Sequence, residues 1–134
     1  EDAINEQAPG ATIVARQTGD TPEQAFAIAE TLLQAHPDLM AIQCVNDSSA
    51  LGAHEAVQLM DRASEDFYIG GADATDEALA KMKEAGSVFR STVDIDPYGT
   101  GKKVVDVMYE YVQEGPKGET FYFEMIPIWQ DELE

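Results

Sequence analysis

Short runs rich in β-branched and aromatic residues alternate with longer stretches of helical periodicity along most of the chain, and no other feature constrains the fold as tightly. Strand candidates are Thr12 to Gln17, Leu39 to Val45, Phe67 to Gly71, Ser87 to Val93 and Thr120 to Ile128. The helices between them are well punctuated. Asp20 or Thr21 can cap a helix beginning at Pro22, with Phe26, Ala29, Leu32 and Leu33 on one face, and Pro37 ends it. Asp47 can cap a second helix whose inner face is Ala50, Leu51, Ala53, Val57 and Met60. A third, around Glu77 to Ala85, stops at Gly86; a fourth runs from about Tyr98 to Glu114, presents Val104, Val105, Met108 and Val112, and ends at Gly115-Pro116. Strands separated by helices of this length cannot form hairpins, so they are expected to be parallel with right-handed crossovers. The predicted fold class is α/β, a doubly wound parallel sheet flanked by helices. Glu1 to Ala8 reads as the tail of a further helix, closed by Pro9-Gly10, whose own preceding strand is expected outside the chain.

Composition narrows the partners. Eight basic against twenty-six acidic side chains give a net charge of −18, which repels phosphate backbones and anionic membrane surfaces, so nucleic acid is excluded as an expected partner. The acids are scattered over several segments, as on solvated helix faces of a very soluble or halophilic protein. Cys44 is the single cysteine, which rules out an intrachain disulfide, and it lies in an apolar run that predicts a buried thiol. No apolar stretch approaches the ~20 residues of a membrane-spanning helix.

In an open parallel sheet, ligands bind beyond the carboxyl ends of the strands, where loops and helix amino termini converge. The polar residues expected on that edge are Thr18 to Thr21, Asn46-Asp47, Asp73-Ala74-Thr75 and Asp94-Ile95-Asp96. Asn46 offers two donors and an acceptor, and Asp73 offers acceptors only, a combination suited to vicinal hydroxyls. Turn chemistry explains both residues equally well on pattern alone. Asp94 and Asp96 face the same side of an extended segment and could hold a metal, but Pro97 follows and makes Asp96 a helix cap in the plainer reading. Gly70-Gly71 and Gly99-Thr100-Gly101 complete no phosphate-loop fingerprint, and His36 and His54 sit on different helices with no cysteine beside them. No cofactor, metal or catalytic nucleophile is expected, and the chain is not read as an enzyme.

Four segments then resemble a known family in order. They are Leu32-Leu33-Gln34-Ala35-His36-Pro37-Asp38-Leu39, Val45-Asn46-Asp47-Ser48-Ser49-Ala50-Leu51-Gly52-Ala53, Ile69-Gly70-Gly71-Ala72-Asp73-Ala74-Thr75 and Ser91-Thr92-Val93-Asp94-Ile95-Asp96-Pro97-Tyr98-Gly99. Together they are similar to the carboxyl-terminal lobe of ribose-type periplasmic binding proteins. The resemblance implies a two-lobed receptor that closes on a monosaccharide or polyol and passes it to the permease of an ATP-driven transporter, in the periplasm or lipid-anchored outside the cell. It implies that Asn46 and Asp73 bond sugar hydroxyls. It has two departures: the family usually carries Gln or Asn at the place of Ile95, and an aromatic near the start of the first helix is replaced around Thr21. Both positions are therefore candidate specificity residues. By the same analogy residues 1–96 form the carboxyl-terminal lobe without its first strand, 97–118 belong to the other lobe, and 119–134 return with a last strand. A helix without its lobe would leave an apolar face uncovered, so self-association or domain exchange is expected. The effector-sensing domain of lactose-repressor-type regulators shares the motifs and is the alternative; a magnesium-dependent phosphatase using Asp94 and Asp96 is a third reading.

Overall fold

The computed structural model describes residues 2–115, 117–118 and 120–133, so Glu1 and Pro116, expected at a helix tail and a helix stop, lie outside it. Its elements, in chain order, are α1 (Asp2–Gln7), α2 (Pro22–Ala35), β1 (Ala41–Gln43), α3 (Asp47–Leu59), β2 (Tyr68–Gly70), α4 (Asp76–Lys83), β3 (Phe89–Asp94), α5 (Pro97–Glu114) and β4 (Ile126–Trp129), followed by a short 3-10 turn at Gln130–Glu132. The four strands form one sheet in the order β1-β2-β3-β4. β1, β2 and β3 are parallel, with an irregularity between Ile69 and Gly70.

The helices start where side chains take up the orphan backbone donors of a first turn. Thr21 caps α2, Thr75 caps α4 and Asp96 caps α5. For α3 the cap is Asn46, one residue before the expected Asp47: Asn46 Oδ1 accepts from the Ser49 amide at 2.8 Å, and Ser49 Oγ accepts from the Asn46 amide at 3.4 Å. This reciprocal pair outcompetes Asp47, which becomes the first helical residue and turns into the protein.

α3 is the centre of the core. Ala50, Ala53, Ala56 and Val57 pack with Ala29 and Leu33 of α2, Ala78 and Met82 of α4, and Ile69, Val88 and Phe89 around the sheet. Small residues let α2 and α3 approach closely; a Cβ at Gly52 would collide with the Pro22 carbonyl. At the amino ends of the strands two arginines tie irregular backbone together. Arg62 donates to the carbonyls of Leu33, Pro37 and Leu39, and Arg90 to those of Phe67, Ser64 and Glu65.

Two expectations about strands are corrected. Residues 12–17 form no strand, because the sheet begins at β1 and no described strand lies on that side to supply a hydrogen-bonded ladder; the segment stays extended and Val14 is exposed. The last strand is Ile126–Trp129, not Thr120 to Ile128, and it is antiparallel to β3, with Asp94 opposite Ile126 and Ser91 opposite Trp129. A parallel neighbour requires the intervening helix to pack across the sheet and deliver the chain to the amino ends. α5 does not: none of its residues is buried, and Val105, Met108 and Val112 are 64, 62 and 81% exposed. The chain therefore returns at the end it left from and runs back down.

His54 of α3 is buried, with Nε2 at 3.3 Å from Ser87 Oγ and 3.4 Å from the Gln58 amide nitrogen. Burial holds its pKa below the ordinary 6.5; Lys81 of α4 pushes the same way, and Glu84 and Glu55 oppose it. The fold therefore favours the neutral ring. The stability this contributes is whole above the unfolded value of 6.5 and is lost as pH falls from there towards the folded value. Urea unfolding between about pH 5 and 8 is expected to show a decline on acidification that is shallower in His54→Gln; identical slopes would refute the assignment.

Candidate functional site

The loops after β1, β2 and β3 and the loop before α2 meet at one edge, and the hydrogen bonds that join them are specific. The Asp47 amide donates to the Ala72 carbonyl at 2.7 Å, which sets Asn46 and Asp73 on adjoining loops of the same rim. The Asp73 amide donates to the Val93 carbonyl at 2.9 Å, joining the second loop to the end of β3. Asn46 Nδ2 donates to the Asp20 carbonyl at 3.2 Å, drawing in the loop that precedes α2.

Each candidate residue has a definite place there. Asn46 spends its carbonyl on Ser49, through both the amide and the hydroxyl, so the acceptor expected of it is occupied. Its amide nitrogen still carries a second hydrogen beside the one given to Asp20. Asp73 is exposed, with φ of +111°, and Ala74 follows at +51°. Two consecutive non-glycine residues in this region cost about 1–3 kcal/mol each, so the loop holds this shape only because its surroundings enforce it. The Asp73 pKa is raised from its usual 3.8, first by partial burial and then by the negative charge of Asp47. Thr21 is half-buried, its hydroxyl accepting from the Gln24 amide. Ile95 is half-buried, and its carbonyl accepts from the Thr100 hydroxyl.

The acids at 94 and 96 serve the backbone. Asp94 Oδ1 accepts from the Asp96 amide at 2.8 Å, and Asp96 Oδ1 accepts from the Gly99 amide at 3.0 Å, as a cap should. No group of three metal-ligating side chains occurs among the described residues.

The residue that sequence reasoning underrated is Asp47. Its side chain is fully buried, Oδ1 accepting from Thr92 Oγ1 at 2.6 Å and Oδ2 from the Thr75 amide at 2.8 Å and the Thr75 hydroxyl at 3.1 Å. Gly71 makes room for it, since a Cβ there would stand 2.5 Å from Asp47 Oδ1 and 2.9 Å from Phe89 Cζ. The pair Gly70-Gly71 thus serves close packing, not a phosphate. The signal was present in the sequence: Asn46 and Ser49 at capping-box spacing already supply the cap and free Asp47 for another task.

Two concavities of about 420 Å³ lie at the other end of the sheet around Arg90 and Arg62, whose donors are engaged by backbone carbonyls. A rim carrying a carboxylate and an amide can offer hydrogen bonds to a polar solute.

The chain is similar in sequence and in fold to known proteins. A ribose import binding protein of Bacillus subtilis is 36% identical over 73 residues, covering 54% of this chain and 23% of the relative. A D-apiose import binding protein of Paraburkholderia graminis is 32% identical over 116 residues, covering 86% of this chain and 36% of the relative. The crystal structure of a Caulobacter myo-inositol binding protein bound to myo-inositol superposes with a TM-score of 0.83 at 27% identity, over 98% of this chain and 45% of that one. The chain therefore spans less than half the length of the proteins it matches. The family model for the periplasmic binding protein domain matches residues 1–117, and with most of its length so matched the chain belongs to that family.

Proposed function

We propose that this chain is the carboxyl-terminal portion of a receptor that captures a monosaccharide or similar polyol between two lobes and delivers it to the permease of an ATP-driven transporter. The observation that carries the reading is that Asn46 and Asp73 stand on adjoining loops of one rim, joined by the bond from the Asp47 amide to the Ala72 carbonyl. In this reading Asp73 accepts from sugar hydroxyls and Asn46 donates its remaining N–H. Ile95 presents an apolar contact where the family resemblance expects an amide, and Thr21 stands where it expects a ring, which points to a solute with less to bond and less to stack there. The role is capture, not catalysis, at the periplasmic or outer face of the membrane. The names of the relatives, import and binding proteins for ribose and apiose, favour this over a cytoplasmic effector-sensing domain.

The division of the chain follows. Residues 1–96 and 119–134 contribute to one lobe, and 97–118 reach into the other. Support comes from α5, which buries nothing here, and from the antiparallel return of β4 beside β3. Isolated from a second lobe, the face made by Val104, Val105, Met108 and Val112 favours self-association. Light scattering of the 134-residue chain at micromolar concentration is expected to show species larger than the monomer, and a strict monomer contradicts this.

The central test is calorimetry on a receptor with both lobes, against D-ribose, D-allose and myo-inositol. At least one is expected to bind, and Asp73→Ala to weaken it by about 10- to 100-fold, the value of a charge-assisted hydrogen bond. Binding of none of the three would sink the proposal. Because the Asp73 pKa is raised, the carboxylate begins to protonate at higher pH than an ordinary one; affinity is expected to be full at neutral pH and to fall on acidification from above 3.8.

A further inference from the structure

The loop that carries Asp73 is held by three successive backbone donors, and each finds its acceptor inside the protein. Asp73 N–H donates to the Val93 carbonyl at 2.9 Å, Ala74 N–H to Thr92 Oγ1 at 3.2 Å, and Thr75 N–H to Asp47 Oδ2 at 2.8 Å. The second and third of these lead to one carboxylate, because Thr92 Oγ1 donates in turn to Asp47 Oδ1 at 2.6 Å. Thr75 Oγ1 donates to Oδ2 while accepting from the Ala78 amide, so the start of α4 hangs on the same group. Asp47 itself is the first residue of α3, so the network joins the starts of two helices.

We infer that Asp47 is a positioning residue for solute binding: anchored with Thr92, it fixes the strained backbone at Asp73 and Ala74 and so aims the Asp73 carboxylate at the rim. The inference rests on the reading of Asp73 as a ligand residue. Its physical basis is that the two positive φ angles are costly for Asp and Ala, and relax once their restraints are cut. Thr92 is a relay in this arrangement, since its hydroxyl both accepts from the loop and donates to the carboxylate, which valine cannot do. Asp47 acts on Asp73 electrostatically as well. It is the charged group that α3 brings to bear on Asp73, whereas β3 presents the uncharged Val93 carbonyl and Thr92 hydroxyl.

The test uses the two-lobed receptor and whichever of D-ribose, D-allose and myo-inositol the wild type binds. Asp47→Asn keeps the size of the side chain but can turn an N–H toward the Thr75 amide or the Thr92 hydroxyl, and it removes the charge. It is expected to weaken sugar binding by about tenfold or more. It is also expected to move the acid limb of binding to lower pH, a displacement that a merely structural carboxylate would not cause. Thr92→Val is expected to weaken binding similarly and Thr92→Ser to keep it within about threefold of wild type. A folded Asp47→Asn receptor with wild-type affinity, or with an unmoved acid limb, overturns the inference. If Asp47→Asn does not fold, the Thr92 pair decides: equal affinities for the Val and Ser variants overturn it. Failure of the underlying reading shows differently, as a wild type that binds none of the three sugars or an Asp73→Ala variant that binds as the wild type does.

Discussion

A carboxylate with no access to water costs several kcal/mol unless its oxygens are fully bonded, and Asp47 meets that cost with three donors drawn from two other elements. Because those donors belong to the start of α4 and to β3, satisfying the charge forces three elements to meet at one point. The bond from the Asp47 amide to the Ala72 carbonyl adds the end of β2. The centre of the rim is thus tied together by hydrogen bonds to one carboxylate. Hydrophobic burial holds α3 against the sheet, and the Asp47 network sets how the ends of the strands line up.

The alternation of strands and helices was legible because each segment carries its own evidence: Pro22 behind Thr21, Gly86 after α4, and apolar spacing along α2 and α3 that matches Ala29, Leu33, Ala50, Ala53 and Val57 in the core. Local signals stop at the boundary of a segment. Whether residues 12–17 form a strand depends on a neighbour to pair with, and the direction of β4 depends on whether α5 packs on the sheet. Neither fact is written in the residues concerned.

The site divides along the same line. Topology and family resemblance single out Asn46, Asp73, Thr21 and Ile95 as candidates, and all four take positions in or beside the loops at the carboxyl edge. Asp47 was misjudged because a helix-start aspartate is usually a cap, and only the reciprocal bonding of Asn46 and Ser49 displaces it. Its partners Thr75 and Thr92 lie 28 and 45 residues away in the chain, and no local pattern announces them.

Arg62 and Arg90 are both fixed at the amino ends of the strands by main-chain carbonyls, while Asp20, Asp73, Asp94 and Asp96 stand at the opposite edge. Asp38, Asp61 and Glu65 line the same concavities as these arginines, so acids stand at both ends of the sheet. Carboxylates repel an anion at distances beyond hydrogen bonding and act little on a neutral molecule. Repulsion of that kind resides in the long-range field and needs no contact at all.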